Sequence, residues 1–168
     1  MPKGLKETSS LITIGARVLE SGANTFTTAQ VDLQLNPLDN EVFVVYGVDI
    51  DLLDPNMIVG TDTAVLGSIS TTARTSVGGI NDSNVIAMNR ITLNEAGGQF
   101  TRSAFASDSA PGTSLDYLAI IATNDFFLNI EGIANTTARS MNARLYGVRA
   151  RADSSVYSAL VQSELLSA

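Results

Sequence analysis

The sequence predicts an all-β protein of two packed antiparallel sheets, on three observations. Short runs of alternating apolar and polar residues recur from Leu11 to Ala150. Clusters of Gly, Asn, Asp, Ser and Pro separate them. Helical spacing of apolar residues shows only in the tail, after Asp153. This pattern reads as a sandwich or barrel rather than as alternating strands and helices.

Each run is predicted from its own residues. The first is Leu11–Leu19, ended by Ser21-Gly22. In the second, Phe26–Leu35, period two puts Val31, Leu33 and Leu35 on a buried face and Asp32, Gln34 and Asn36 in solvent. Asn36-Pro37-Leu38-Asp39-Asn40 is a turn. The third run, Glu41–Leu53, is the strongest. Val42, Val44, Tyr46, Val48, Ile50 and Leu52 share one face, while the other starts apolar with Phe43 and Val45 and ends polar at Asp49 and Asp51. Asp54-Pro55-Asn56 stops it. Ala64–Thr72 is the fourth strand, Arg74–Ser83 a long loop, Val85–Leu93 the fifth and Phe100–Phe105 the sixth, after Gly97-Gly98. Ser107–Ser114 holds the turn Pro111-Gly112. Leu115–Ala122, Phe126–Ile133 and Ser140–Ala150 are the last three, with Gly147 marking a bulge where the buried face switches.

The tail differs in kind. Asp153 or Ser154 N-caps a short helix with Tyr157, Leu160, Val161 and Leu165 on one side; a terminal strand is the alternative. One domain is expected, with residues 1–10 as an N-terminal arm, 11–152 as the sandwich and 153–168 as a C-terminal segment.

Composition narrows the function. The chain has no Cys, His or Trp, which removes thiolate nucleophiles, Cys or His zinc sites, imidazole bases and the Ser-His-Asp triad. The lysines are Lys3 and Lys6, near the N-terminus, and the eight arginines are scattered. Net charge is -7, and no basic arm of the kind that neutralises phosphate is visible, so neither direct genome condensation nor direct sequence-specific nucleic-acid contact is expected. No apolar run approaches the length of a membrane span, and no leader pattern is visible. Charged residues make up 16% of the chain against about 25% in a typical globular protein, which fits a surface partly hidden by neighbouring copies. No enzyme and no cofactor is expected.

Several groups are candidates for chemistry. Asp49, Asp51, Asp54 and Asp62 form the densest acidic group, a weak candidate for hard-cation binding without calcium-loop spacing. Arg144, Arg149 and Arg151 near the C-terminus, with Tyr157, Leu160 and Leu165, are candidates for subunit contact. Arg139 belongs to the same basic group. Gly78-Gly79 and Gly97-Gly98 lack the Lys of a phosphate loop and read as turns. Asn135-Thr136-Thr137 matches a glycosylation triplet. Asp116 and Asp125 form a carboxylate pair without the aromatic platforms a sugar would need.

Eight or nine strands in about 150 residues, closed by a terminal segment, outline an eight-stranded antiparallel jelly-roll β-sandwich with a short C-terminal helix or arm. The successions Val42–Asp51, Leu118–Leu128 and Ala143–Ala150 resemble the strands of single jelly-roll viral capsid proteins. That resemblance implies a structural subunit that self-assembles with copies of itself, alongside other virion proteins, into an icosahedral shell, located in the virion. The rival expectations are a trimeric receptor-binding or ligand module resembling tumour-necrosis-factor-like heads, a virion decoration or spike protein, and a carbohydrate-binding sandwich.

Overall fold

In a computed structural model, the alternating runs become two five-stranded antiparallel sheets packed face to face, with one helix at the end. The structure describes residues 1–112 and 114–167. Thr113, inside the turn expected over Ser107–Ser114, and Ala168, at the end of the C-terminal segment, lie outside the described residues. The strands are β1 (Leu5–Glu7), β2 (Ile12–Leu19), β3 (Thr27–Asp32), β4 (Glu41–Leu52), β5 (Thr63–Ser70), β6 (Val85–Ala96), β7 (Gln99–Ala106), β8 (Ala119–Ile121), β9 (Asp125–Ile133) and β10 (Ser140–Ala152). The helix α1 spans Ser154–Leu166. No described helix is long and apolar enough to cross a membrane.

Sheet one runs β2-β10-β4-β8, and β1 continues the β2 edge along the far end of β10. Sheet two runs β3-β9-β5-β6-β7. Leaving aside β1 and β7, the strands in chain order fall in sheets one, two, one, two, two, one, two and one. That alternation is the jelly roll the strand count predicts. The nine runs read from the sequence correspond to β2–β10, and β1 is an addition. Leu5-Lys6-Glu7 carries a single apolar residue, too little for a period to show. The seventh run is shorter than expected, because only its end reaches β4: Leu118 donates its N–H to the Val45 carbonyl at 2.8 Å and pairing begins at Ala119.

One expectation fails inside β4. Pairing with β10 shifts register between Tyr146 and Gly147, and Tyr46 is the extra residue on β4. An extra residue inverts period two. Val42, Val44 and Tyr46 therefore face outward, while Val48, Ile50 and Leu52 join Phe43 and Val45 in facing sheet two. The six residues expected on one face are split between two.

Two apolar layers result. The larger lies between the sheets, with Phe43, Phe126, Ile69, Leu128, Ile130, Met141 and Leu145 fully buried. Each such side chain contributes about 1.5–3 kcal/mol relative to exposure. The second lies on the outer face of sheet one. There Val156, Tyr157, Leu160 and Val161 of α1 cover Val42, Val44, Val148 and Ala150. This explains why β4 is apolar on both faces at its start only. Asp153 sits at the N-cap in extended conformation without a side-chain cap bond; its own N–H donates to the Gly4 carbonyl at 3.0 Å. Both segments read as arms thus lie on their own domain: β1 pairs with Ala150–Ala152, and α1 packs on the same sheet.

Candidate assembly surfaces

The three arginines separate by environment. Arg149 is an internal clamp. Its guanidinium donates to the Leu33 carbonyl at 2.7 Å and the Gln34 carbonyl at 3.1 Å, and pairs with Glu41 at 3.0 Å. It ties β10 to the β3–β4 loop and is spent within the chain. Arg151 pairs with Asp39 at 3.0 Å with both side chains more than half exposed. Such a pair is worth about 0–1 kcal/mol, so Arg151 is readily re-paired by a neighbour. Arg144 is free to water. It lies opposite Asp49 across β10 and β4 and donates to the Tyr146 hydroxyl at 3.3 Å, which in turn donates to Asp49 at 2.9 Å. The Tyr146 hydrogen bond, helped by Asp49, holds Arg144 still more firmly in its charged form.

The four aspartates do not converge. Asp49 and Asp51 stand on the outer face of sheet one, where Asn142 donates to Asp51 at 3.4 Å. Asp54 pairs with Arg102 at 3.1 Å, and Asp62 accepts the Glu95 N–H at 2.7 Å. Among the described residues no three acidic side chains meet as a cation site would require. Tyr157 and Leu160 are engaged with sheet one, while Leu165 is 62% exposed and faces solvent.

A polar hub that sequence reading missed organises one end of the sandwich. Glu20 follows β2 directly and is buried. Its carboxylate accepts the N–H groups of Gly132 at 2.6 Å, Arg139 at 2.7 Å and Thr25 at 3.1 Å. Asn24 and Asn135 exchange bonds through side chain and backbone at 2.7 and 2.9 Å. The Asn135 amide donates to the Ala64 carbonyl at 2.9 Å and accepts the Asn56 N–H at 2.8 Å. That buried, bonded nitrogen leaves the glycosylation triplet no reactive amide on the surface. The Arg139 guanidinium donates to the Asp54 carbonyl at 2.8 Å and the Thr137 carbonyl at 3.1 Å. Three loops, residues 20–26, 53–62 and 134–139, are locked together by groups from all of them.

The hub sets what this end presents. The β4–β5 loop folds into a tight turn, with Thr61 donating to the Ile58 carbonyl at 3.1 Å and Gly60 at φ +80°. Two apolar side chains at its tip point outward: Met57 is 72% and Val59 76% exposed. Leu19, Leu53 and Ile133 are exposed at the same end. Apolar side chains held out together make this end a candidate contact surface. Composition alone offered no signal for it, because Met57-Ile58-Val59 reads like a scrap of strand.

At the opposite end, Glu164 of α1 reaches back to the β8–β9 turn and accepts the N–H groups of Ala122 at 2.6 Å and Thr123 at 2.9 Å. Burial pushes its carboxyl above the ordinary value, more than these hydrogen bonds pull it down. Beside it lies a cleft of about 230 Å³ between α1 and the start of β6, lined by Asn84, Ile86, Leu118, Leu160 and Ser163. The sequence matches no known family model and no curated protein, so these surfaces carry the functional argument by themselves.

Proposed function

We propose that this chain is a non-enzymatic structural subunit that assembles with copies of itself into a closed shell, of the kind that single jelly-roll capsid proteins build around a viral genome. The observation that carries the reading is the rigid sandwich whose loop end holds Met57 and Val59 out in water. An isolated domain gains nothing by fixing apolar side chains in solvent with a buried hydrogen-bonded hub. A subunit that must meet its neighbours at a fixed angle does. The hard-working carboxylates Glu20 and Glu164 hold backbone N–H groups, which is structural work. The step from jelly roll to shell is an analogy between folds, since one fold serves many functions.

Size-exclusion chromatography with light scattering, followed by negative-stain imaging, tests it. A shell subunit yields megadalton particles or fixed rings of five or six. A trimeric receptor-binding head stops at three, and a decoration protein needs a preformed shell to bind. A chain that stays at 17.7 kDa at every salt and protein concentration contradicts the proposal.

A further inference from the structure

We infer that the free edge of β7 is a two-fold contact, where a second copy of this chain adds its own β7 and continues sheet two across the pair. The inference rests on the reading of the chain as an assembling subunit and names one of its contacts. β7 is the end strand of sheet two, eight residues long and paired with β6 without a register shift. Seven of the eight are exposed, including Phe105 and the sheet-one side of the strand at Arg102, Ala104 and Ala106. The strand is therefore little covered on either face, its one side-chain tie on the sheet-one side being the exposed Arg102–Asp54 pair. The β2 edge differs, because its inward side chains Ile12, Ile14, Ala16 and Val18 pack into the core. β7 carries no Pro, no Lys, no acidic residue and no bulge, and Arg102 is its single charge.

Backbone direction fixes which groups are available. Gly97 and Gly98, at φ +61° and +82°, form a two-residue turn closed by Ala96 and Gln99. In such a hairpin the closing pair is hydrogen-bonded and the alternation runs on from it. Ser107 donating to the Met88 carbonyl at 3.0 Å keeps the same phase beyond the strand. Gln99, Thr101, Ser103 and Phe105 thus bond to β6, and Phe100, Arg102, Ala104 and Ala106 turn their N–H and C=O groups outward. Two copies related by a two-fold normal to the sheet must pair residues of the same face. An axis through Arg102 sets two guanidinium groups against each other. An axis through Ala104 leaves Phe100 and Thr101 unpaired. An axis through Ser103 pairs Phe100 with Ala106, Thr101 with Phe105 and Arg102 with Ala104, so every outward backbone group finds a partner. The second copy fits this edge because the edge is complementary to itself.

The absence of cysteine makes the test clean. At a non-hydrogen-bonded antiparallel pair the Cα atoms lie about 4.5 Å apart, inside the range a disulfide spans. Ser103→Cys, at an exposed position, is expected to give a disulfide-linked dimer on mild oxidation. Thr101→Cys, also exposed but opposite Phe105, is expected to give little. Ala104→Glu, facing Arg102 of the partner subunit, should speed cross-linking of the Ser103→Cys chain by about threefold, and Ala104→Lys should slow it by about as much. No cross-link at Ser103, or equal cross-linking at both positions, overturns the contact. Particles that form without the Ser103 cross-link would remove this contact and keep the shell. Cross-linked dimers that never grow would keep the contact and remove the shell.

Discussion

Glu20 shows how one side chain can hold a whole end of this molecule. Its carboxylate is the common acceptor of three backbone N–H groups, one from β9 and two from loops. Glu20→Ala would leave the Gly132 and Arg139 donors buried and unpaired, at about 1–3 kcal/mol each, whereas Thr25 is exposed and its N–H can turn to water. We predict a loss of about 2–6 kcal/mol in urea unfolding. Gly147 is limited by space: an added Cβ would run into the Val44 carbonyl oxygen and the Phe43 ring, backbone and core that cannot yield. Gly147→Ala should cost about 1–3 kcal/mol or more, read as a lowered denaturation midpoint with an unchanged slope. Legibility at this scale was uneven. Gly147 could be flagged from the sequence because hydrophobic parity changes around it. Glu20 could not, since its partners lie more than a hundred residues away and nothing local distinguishes it from a solvated end of strand. Arg149 was noticed for its charge, but that it binds the carbonyls of Leu33 and Gln34 rather than a neighbour depends on long-range folding.

Among the elements, strands announced themselves by period two, while events that break the period did not. The β4 run was visible from Glu41 to Leu53, yet the extra residue Tyr46 sends Val48, Ile50 and Leu52 to the opposite face from Val42 and Val44. β1 was invisible because three residues define no period. It is nonetheless anchored: Thr8 donates to the Arg149 carbonyl at 2.9 Å, and the Tyr46 hydroxyl donates to Glu7 at 3.2 Å. Removing residues 1–8 should therefore lower stability by about 1–3 kcal/mol, from the lost ladder bonds and the cover of Leu5. An unchanged melting temperature would show that β1 is a loose arm. The helix α1 was legible from Tyr157, Leu160 and Val161, but its buried acid was not. Folding raises the proton affinity of Glu164. The stability it contributes is thus complete below its unfolded pKa and is lost as pH rises through the higher folded one. We predict that hydrogen exchange at Ala122 and Thr123 grows faster from mildly acid toward neutral pH beyond the intrinsic dependence, and that Glu164→Gln abolishes this excess.

For the whole molecule, alternation and turn chemistry were enough to reach two sheets and the jelly-roll order, because long antiparallel connections leave few ways to bury alternating strands on both layers. The contact surfaces were less legible. The C-terminal residues chosen for subunit contact include Tyr157 and Leu160, which are occupied inside the chain, whereas the exposed apolar tip at Met57 and Val59 drew no notice. Tertiary packing decides which apolar residues are left over, and a sequence read strand by strand does not reveal the remainder. The central claim is that this remainder joins copies into a closed shell. The most direct measurement is sedimentation velocity of the native chain beside a Met57→Asp, Val59→Asp double variant. Both substituted positions face water, so the variant should melt within about 0.5 kcal/mol of the native chain. The account predicts fast-sedimenting closed particles for the native chain and small species for the variant. A native chain that sediments as a monomer, or a variant that forms the same particles, contradicts it.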